Sequence, residues 1–416
     1  MTTFARDQDG HATLGGTRLS TLLEQAHVPT PAYVYDLDGI ERAASQLKQA
    51  FGSRRHLIAY AMKANGAGSI LRTLRDAGTG VCLVSGGEMK VALGAGILPG
   101  RMVISGVAKA DWEIDMAISQ GLYAIQVESL EELARIAGRA RSLGRQARVG
   151  LRINPGVEIE SHSHIATGHD AAKFGIPRAD VSAAFERIDA SEWLVSVGVS
   201  THVGSMLPTP KAYVESATAV CEIARQRLAS GGTLEYMNFG GGFGIDYGPQ
   251  AADAPTEFAQ AAVTLAAKHG LDELELVVEP GRSLVGPYGM LVASVRQGKE
   301  SPARRWLMID AGMNDLLRPA LYGAFHRIEP LERLPGTKEW RVVGPICESS
   351  DDFGTHALGE LPERVVVRDT GAYGFVMASE YNGRALPSEV FTKNGTVVHT
   401  SPSPGVDFWV ERRLQA

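Results

Sequence analysis

From His56 to Val278 the chain alternates short, continuous apolar runs with longer stretches whose apolar residues recur every three or four positions. The first pattern predicts buried strands and the second helices with one apolar face. The strands fall at His56–Met62, Gly80–Val84, Met102–Ser105, Tyr123–Val127, Arg148–Ile153, Val195–Val203, Tyr236–Phe239 and Leu274–Val278. Between them, Ser129–Leu143 repeats Leu130, Leu133 and Ile136 on one side, and Pro210–Ala229 does the same with Tyr213, Ala217, Val220 and Ile223. Ser129 followed by Glu132 reads as a capping box at the start of a helix. Eight strands with intervening helices have the period of a (β/α)8 barrel, whereas a doubly wound sheet seldom needs eight consecutive parallel units.

After Gly289 the pattern changes. Leu291–Val295, Trp306–Ile309, Trp340–Val343, Arg364–Arg368, Glu389–Thr392 and Thr396–His399 are short, rich in β-branched residues and divided by Gly, Pro and Asn, which predicts a β-rich domain. Ala32–Asp36 is an isolated strand ahead of the barrel and needs a sheet to join. Assigning it to the β-rich region makes that domain discontinuous: residues 37–283 form the α/β barrel, and residues 1–36 with 284–416 form the β domain. No low-complexity linker separates them, and no repeat exists beyond the βα alternation.

Composition narrows the class of function. A chain of 416 residues with 44% hydrophobic content can bury a large core. The formal charge of −6 arises from 41 basic and 47 acidic residues without a long single-sign run, so neither nucleic acid nor an anionic membrane is an expected partner. Cys82, Cys221 and Cys347 are too few for a disulfide framework and fit a reducing cytoplasm. Met1–Ala12 lacks an apolar signal core, and no apolar stretch reaches the length of a membrane span.

Lys63 is the first candidate for chemistry. It ends the apolar run His56–Met62, and an amine desolvated there becomes a nucleophile toward a carbonyl; taken alone, it reads as a lysine snorkelling from a strand end. Two glycine-rich loops follow later strands: Gly240-Gly241-Gly242-Phe243-Gly244 after the seventh and Glu279-Pro280-Gly281-Arg282-Ser283 after the eighth. Barrels commonly hold phosphate at those two loops, and glycine lets backbone N–H groups come close to an anion. A dinucleotide fingerprint fits poorly, because its third glycine position is Ile245. A lysine with two phosphate cradles points to pyridoxal phosphate.

Tyr60-Ala61-Met62-Lys63-Ala64-Asn65, Thr201-His202-Val203-Gly204-Ser205, Gly240–Gly244, Glu279–Ser283 and Cys347-Glu348-Ser349 resemble, in order and rough spacing, the motifs of the fold type III pyridoxal-phosphate decarboxylases. Within that group Ile165–Gly168, Lys173–Ile176, Met313–Tyr322 and Gly371–Gly374 are most similar to the diaminopimelate decarboxylase branch, and the likeness runs from about Pro31 to Phe391. The resemblance implies a barrel with a β domain, decarboxylation of meso-2,6-diaminopimelate to L-lysine, and a homodimer whose sites are shared between subunits. It implies that Lys63 carries the cofactor, that Glu279 faces the pyridine nitrogen and that His202 stacks on the ring. Ser205, Gly241, Gly242, Gly281, Arg282 and Tyr373 would hold the phosphate. Arg282, Arg318 and Tyr322, with Tyr373, would bind the carboxylate that is not lost, Glu348 the distal ammonium, and Cys347 would donate the proton.

The chain also departs from the family. Cys82 stands where relatives usually carry Asp, Val203 and Met206-Leu207 replace commoner residues beside His202, and the tail runs through Ser401-Pro402-Ser403-Pro404-Gly405. These differences leave open the same machinery acting on a D-amino acid, a carrier-bound substrate or a siderophore precursor. A non-catalytic cofactor-binding barrel is disfavoured by Cys347-Glu348 and by the added β domain. His162, His164 and His169 have a spacing that could ligate zinc, but their place after the fifth strand favours a substrate-covering loop, and no metal is expected.

Overall fold

In the computed structural model, which describes residues 3–156, 173–248 and 251–415, eight parallel strands close into a barrel. In chain order they are His56–Ala61, Gly80–Leu83, Met102–Ile104, Ala124–Val127, Ala147–Arg152, Leu194–Ser200, Tyr236–Asn238 and Glu275–Val278. The eighth returns to the first through the pairs Leu276 with His56 and Val278 with Ile58, so no strand edge is left open. The helices that join the strands include Leu130–Leu143 and Lys211–Ala229. The barrel strands belong to a unit made of Ala43–Ile245 and Ala252–Ser283.

Leu57, Ala59, Cys82, Ala124, Val197, Tyr236 and Val277 pack together as one buried cluster. Tyr236 needs space that its neighbours must surrender. At Gly198 a Cβ would lie 2.3 Å from the Tyr236 ring, so any side chain there would displace it. The buried polar atoms satisfy one another: Gln126 Nε2 donates to Tyr236 Oη at 3.1 Å, and Ser200 Oγ donates to Gln126 Oε1 at 2.7 Å.

Two local expectations change. The sixth strand ends at Ser200 rather than Val203, and Thr201 N instead donates to Asn238 O, so His202 sits in the loop beyond the ladder. The predicted capping box is only half formed. Ser129 Oγ accepts from Glu132 N at 3.1 Å, but the Glu132 carboxylate accepts from Lys109 Nζ at 3.1 Å and from Glu128 N at 2.8 Å. Lys109 is buried, and a buried ammonium needs a partner more than a helix terminus does.

The second unit comprises Met1–Arg42, Asp246–Ala251 and Leu284–Ala416. Its main sheet runs, in spatial order, Asp352–Ala357, Glu339–Val343, Arg305–Ile309, Gly289–Glu300, Ala32–Asp36, Ser388–Lys393 and Thr396–Ser401. Ala32–Asp36 pairs antiparallel with Gly289–Glu300 and parallel with Ser388–Lys393. Leu19, Leu22, Val34, Met290, Val292, Val366 and Val390 form its buried cluster. Its helix Gly405–Leu414 has no buried residue, which explains why no apolar stripe announced it. Among the described residues no helix is long and apolar enough to cross a membrane.

Candidate active site

The first barrel strand runs straight into a 3-10 turn, Met62–Ala64. Met62 and Ala64 are buried and Lys63 between them is exposed, so the turn anchors the backbone and leaves the amine at the barrel mouth. Tyr60 Oη donates to Asn65 O at 2.9 Å, and Ala61 N donates to Pro280 O at 2.9 Å. These bonds tie the lysine turn to the loop after the eighth strand.

His202 Nδ1 accepts from Gly241 N at 3.2 Å, which places the imidazole proton on Nε2. Burial, and after it the positive charges of Lys63 and Arg152, hold the His202 pKa well below the usual histidine range. The ring is therefore neutral, and the Gly241 N–H serves first to orient it.

Asn238 ends the seventh strand and links both glycine loops. Its Oδ1 accepts from Gly240 N at 2.8 Å, and its Nδ2 donates to Glu279 Oε1 at 2.6 Å. Gly242 adopts φ +91°, and a Cβ there would lie 2.2 Å from Gly204 O. Only glycine fits that turn. Arg282 is buried, and its Nη2 donates to Ser205 Oγ at 3.1 Å; a Cβ on Gly281 would lie 3.1 Å from the Ala61 Cβ. Lys63, His202, Ser205, Gly241, Gly242, Glu279, Gly281 and Arg282 thus gather at the C-terminal end of the barrel strands, where such folds carry their chemistry.

Cys82 is buried in the same barrel, with Sγ 3.4 Å from Ser105 Oγ. Burial first, and then the negative charge of Glu279, pushes its thiol well above the usual range. It is a neutral packing group in this protein.

Sequence patterns missed two buried partners nearby. Arg152 Nη1 donates to Glu128 Oε1 at 2.7 Å, and its guanidinium stands 4.8 Å over the Phe174 ring. Glu128 also accepts from Gly106 N and Gly175 N. Both residues end or follow apolar strands, the signal that singled out Lys63. His162, His164 and His169, like Ile165–Gly168, lie outside the described residues.

The remaining candidates lie in the second unit. Arg318 and Tyr322 open and close a short helix, and Arg318 is buried. Cys347 and Glu348 are exposed on a loop held from below by Asp351, whose carboxylate accepts from Met313 N at 2.6 Å and Ile346 N at 2.7 Å. Cys347 N donates to Asn382 Oδ1 at 3.0 Å, and Tyr381 Oη donates to Glu348 Oε1 at 2.5 Å. Neither Tyr381 nor Asn382 carries a motif that sequence alone would single out. Tyr373 has a left-handed backbone, φ +55°, a conformation that non-glycine residues adopt at a cost.

Residues 37–286 match the pyridoxal-dependent decarboxylases at their pyridoxal binding domain. The chain is 40% identical to the diaminopimelate decarboxylase of Helicobacter pylori over 367 residues, 87% of this chain and 90% of that protein. It belongs to the diaminopimelate decarboxylase family. A more distant relative, the diaminopimelate decarboxylase of Aquifex aeolicus, is 34% identical over 416 residues, covering 98% of this chain and 96% of that one. The crystal structure of the H. pylori diaminopimelate decarboxylase complexed with L-lysine superposes with a TM-score of 0.90 at 36% identity, covering 95% of this chain and 100% of that one. The diaminopimelate decarboxylase of M. jannaschii in co-complex with L-lysine gives 0.92 at 32% identity, over 99% and 97% of the two chains.

Proposed function

We infer that this protein decarboxylates meso-2,6-diaminopimelate to L-lysine and CO2, with pyridoxal 5′-phosphate held at Lys63. The observation that carries the reading is the convergence of a strand-end lysine, a neutral histidine and two interlocked glycine loops at one end of the barrel, in a chain of this family. The residues fit the cofactor. Gly242 makes a turn that no side chain could share, Ser205 carries a hydroxyl suited to phosphate and held by Arg282 Nη2, and Glu279 offers a carboxylate to a pyridine N–H.

The chemistry that the cofactor supplies when bound is an electron sink for the pair left on the α-carbon as CO2 departs. Lys63 would anchor it through the amine. Glu279, steadied by Asn238, would favour the protonated pyridine, and the flat, uncharged His202 ring would offer it a stacking partner. Arg282, Arg318 and Tyr322 would hold the carboxylate that stays, Glu348 would pair with the ammonium beside it, and the Cys347 thiol would be the proton source for the α-carbon. We assign Cys347 and Glu348 to the site of a partner subunit in a homodimer. The protein works in the reducing cytoplasm, where its cysteines remain thiols.

Borohydride reduction followed by peptide mapping should place a pyridoxyl mass on Lys63, and meso-diaminopimelate should yield L-lysine. A label on a different lysine refutes the anchor, and absence of lysine release refutes the substrate.

A further inference from the structure

Arg318 opens a helix only five residues long, Arg318–Tyr322, and so short an element cannot by itself fix a long side chain. Yet Arg318 is only 4% exposed. What holds its guanidinium can be traced atom by atom. Arg318 Nη1 lies 2.6 Å from His326 Nε2. A guanidinium can only donate, so Nε2 is the acceptor and the imidazole is neutral with its proton on Nδ1. The other side of the ring agrees: Nδ1 lies 2.8 Å from the carbonyl oxygen of Arg368, which can only accept.

Both ring nitrogens are thereby committed, and His326 is itself only 2% exposed. A second contact fixes the plane of the guanidinium. Its Cζ stands 4.5 Å from the centroid of the Tyr247 ring, and Tyr247 meets His326 edge-on at 5.0 Å. Nη1 is anchored and a face is covered, so the plane and direction of the guanidinium are set in advance, and these are what decide whether an arginine can engage a carboxylate with two parallel bonds.

We propose that His326, with Tyr247 against the same guanidinium, is a positioning residue that aims Arg318 at the substrate carboxylate that is not lost, and so sets the preference for substrates carrying a second carboxylate. The proposal rests on Arg318 binding that carboxylate. It assigns His326 a role that burial alone would not: removing the acceptor should harm recognition of one chemical group and leave the rest of the ligand unaffected.

The test compares two ligands that share both amines and differ in the carboxylate, L-lysine and 1,5-diaminopentane, by calorimetric titration of the holoenzyme. His326→Asn keeps a polar group near the Arg368 carbonyl but falls short of Arg318; His326→Gln extends an oxygen to the position of Nε2. His326→Asn should weaken L-lysine about 10-fold, the scale of one charged hydrogen bond, and leave 1,5-diaminopentane within about twofold, while His326→Gln recovers most of the loss. With meso-diaminopimelate, KM should rise in His326→Asn while kcat holds. Equal weakening of both ligands, or of neither, overturns the proposal. Arg318→Ala separates the two layers: if it is selective for L-lysine and His326→Asn is not, only the role of His326 falls; if Arg318→Ala is itself unselective, the assignment of Arg318 falls and the proposal with it. A neutron structure of the wild-type protein needs no variant: deuterium on Nδ1 and none on Nε2 of His326 is expected, and deuterium on Nε2 overturns the proposal.

Discussion

Asn238 Nδ2 donates to Glu279 Oε1 at 2.6 Å while the same side chain, through Oδ1, accepts from Gly240 N at 2.8 Å. One amide therefore orients both the carboxylate proposed to face the pyridine and the loop proposed to cradle the phosphate. The two functions can be separated chemically. Asn238→Asp keeps an acceptor for Gly240 N but replaces the donor with a second carboxylate facing Glu279. It should lower kcat/KM about 10- to 100-fold, because a charge-assisted bond is exchanged for repulsion, with cofactor content close to wild type. Activity within twofold of wild type would show that Glu279 needs no orientation from Asn238.

Glu348 is held from one side only among the described residues, by the Tyr381 hydroxyl. If Glu348 reads the ammonium beside the retained carboxylate, its loss should appear in KM. Glu348→Gln should raise KM for meso-diaminopimelate about 10- to 100-fold, and Tyr381→Phe about 3- to 10-fold, because the first removes the charge and the second only one bond to it. The absorbance of the bound cofactor should not change in either variant. Loss of cofactor with an unaltered KM would assign these residues to a different task.

The legibility of this chain was uneven, for physical reasons. A buried parallel strand is a continuous apolar run, so all eight barrel strands stood out, and a polar residue at the end of such a run pointed to Lys63, whereas His202 came only from the resemblance. The glycine loops were visible because a close backbone approach admits no other residue. Asn238 and Asn382 left no trace: an amide that bridges two loops acts through partners remote in sequence, and nothing in its own neighbourhood marks it. The same holds for His326, whose partners include Arg318 and the Arg368 carbonyl on different segments. Asp352–Ala357 carries no strand signal in the sequence, because its buried positions are Phe353 and His356, three apart, with Gly354 and Thr355 between them. Ser129 and Glu132 carried a correct local signature that a buried lysine overrode.

Glu389 makes the stability of the β unit depend on pH. Burial pushes its carboxyl up from an ordinary 4.5 to about 7, against the opposing effect of the bond it accepts from Tyr35 Oη at 2.9 Å. A carboxyl whose pKa is raised on folding contributes its stabilisation fully below the unfolded value, and that contribution disappears as pH rises through the folded one. The window is therefore about pH 4.5 to 7, with stability falling as pH increases. Glu389→Gln keeps the acceptor for Tyr35 and cannot ionise. Its advantage over wild type should grow from near zero at pH 5 to about 1–3 kcal/mol at pH 8, read as a widening gap in Tm. A gap that stays constant across this range would mean that Glu389 is charged in the folded protein.

Lys63 lies in the barrel unit, whereas Cys347 and Glu348 lie in the other unit and are exposed in the single chain. A proton donor for a reaction that must exclude water is poorly placed on an exposed loop unless a second subunit covers it, and a two-fold interface would complete two equivalent sites at once. Lys63→Ala and Cys347→Ala should each be inactive. Dissociated together and reassembled at equal amounts, they pair at random, so about half the dimers are mixed, and each mixed dimer carries one intact site out of two. About a quarter of the wild-type sites should return, read as the fraction of wild-type L-lysine release per dimer. If reassembly is confirmed by capture of mixed tags and no activity appears, each chain builds its own site, and Cys347 must reach the lysine of its own barrel.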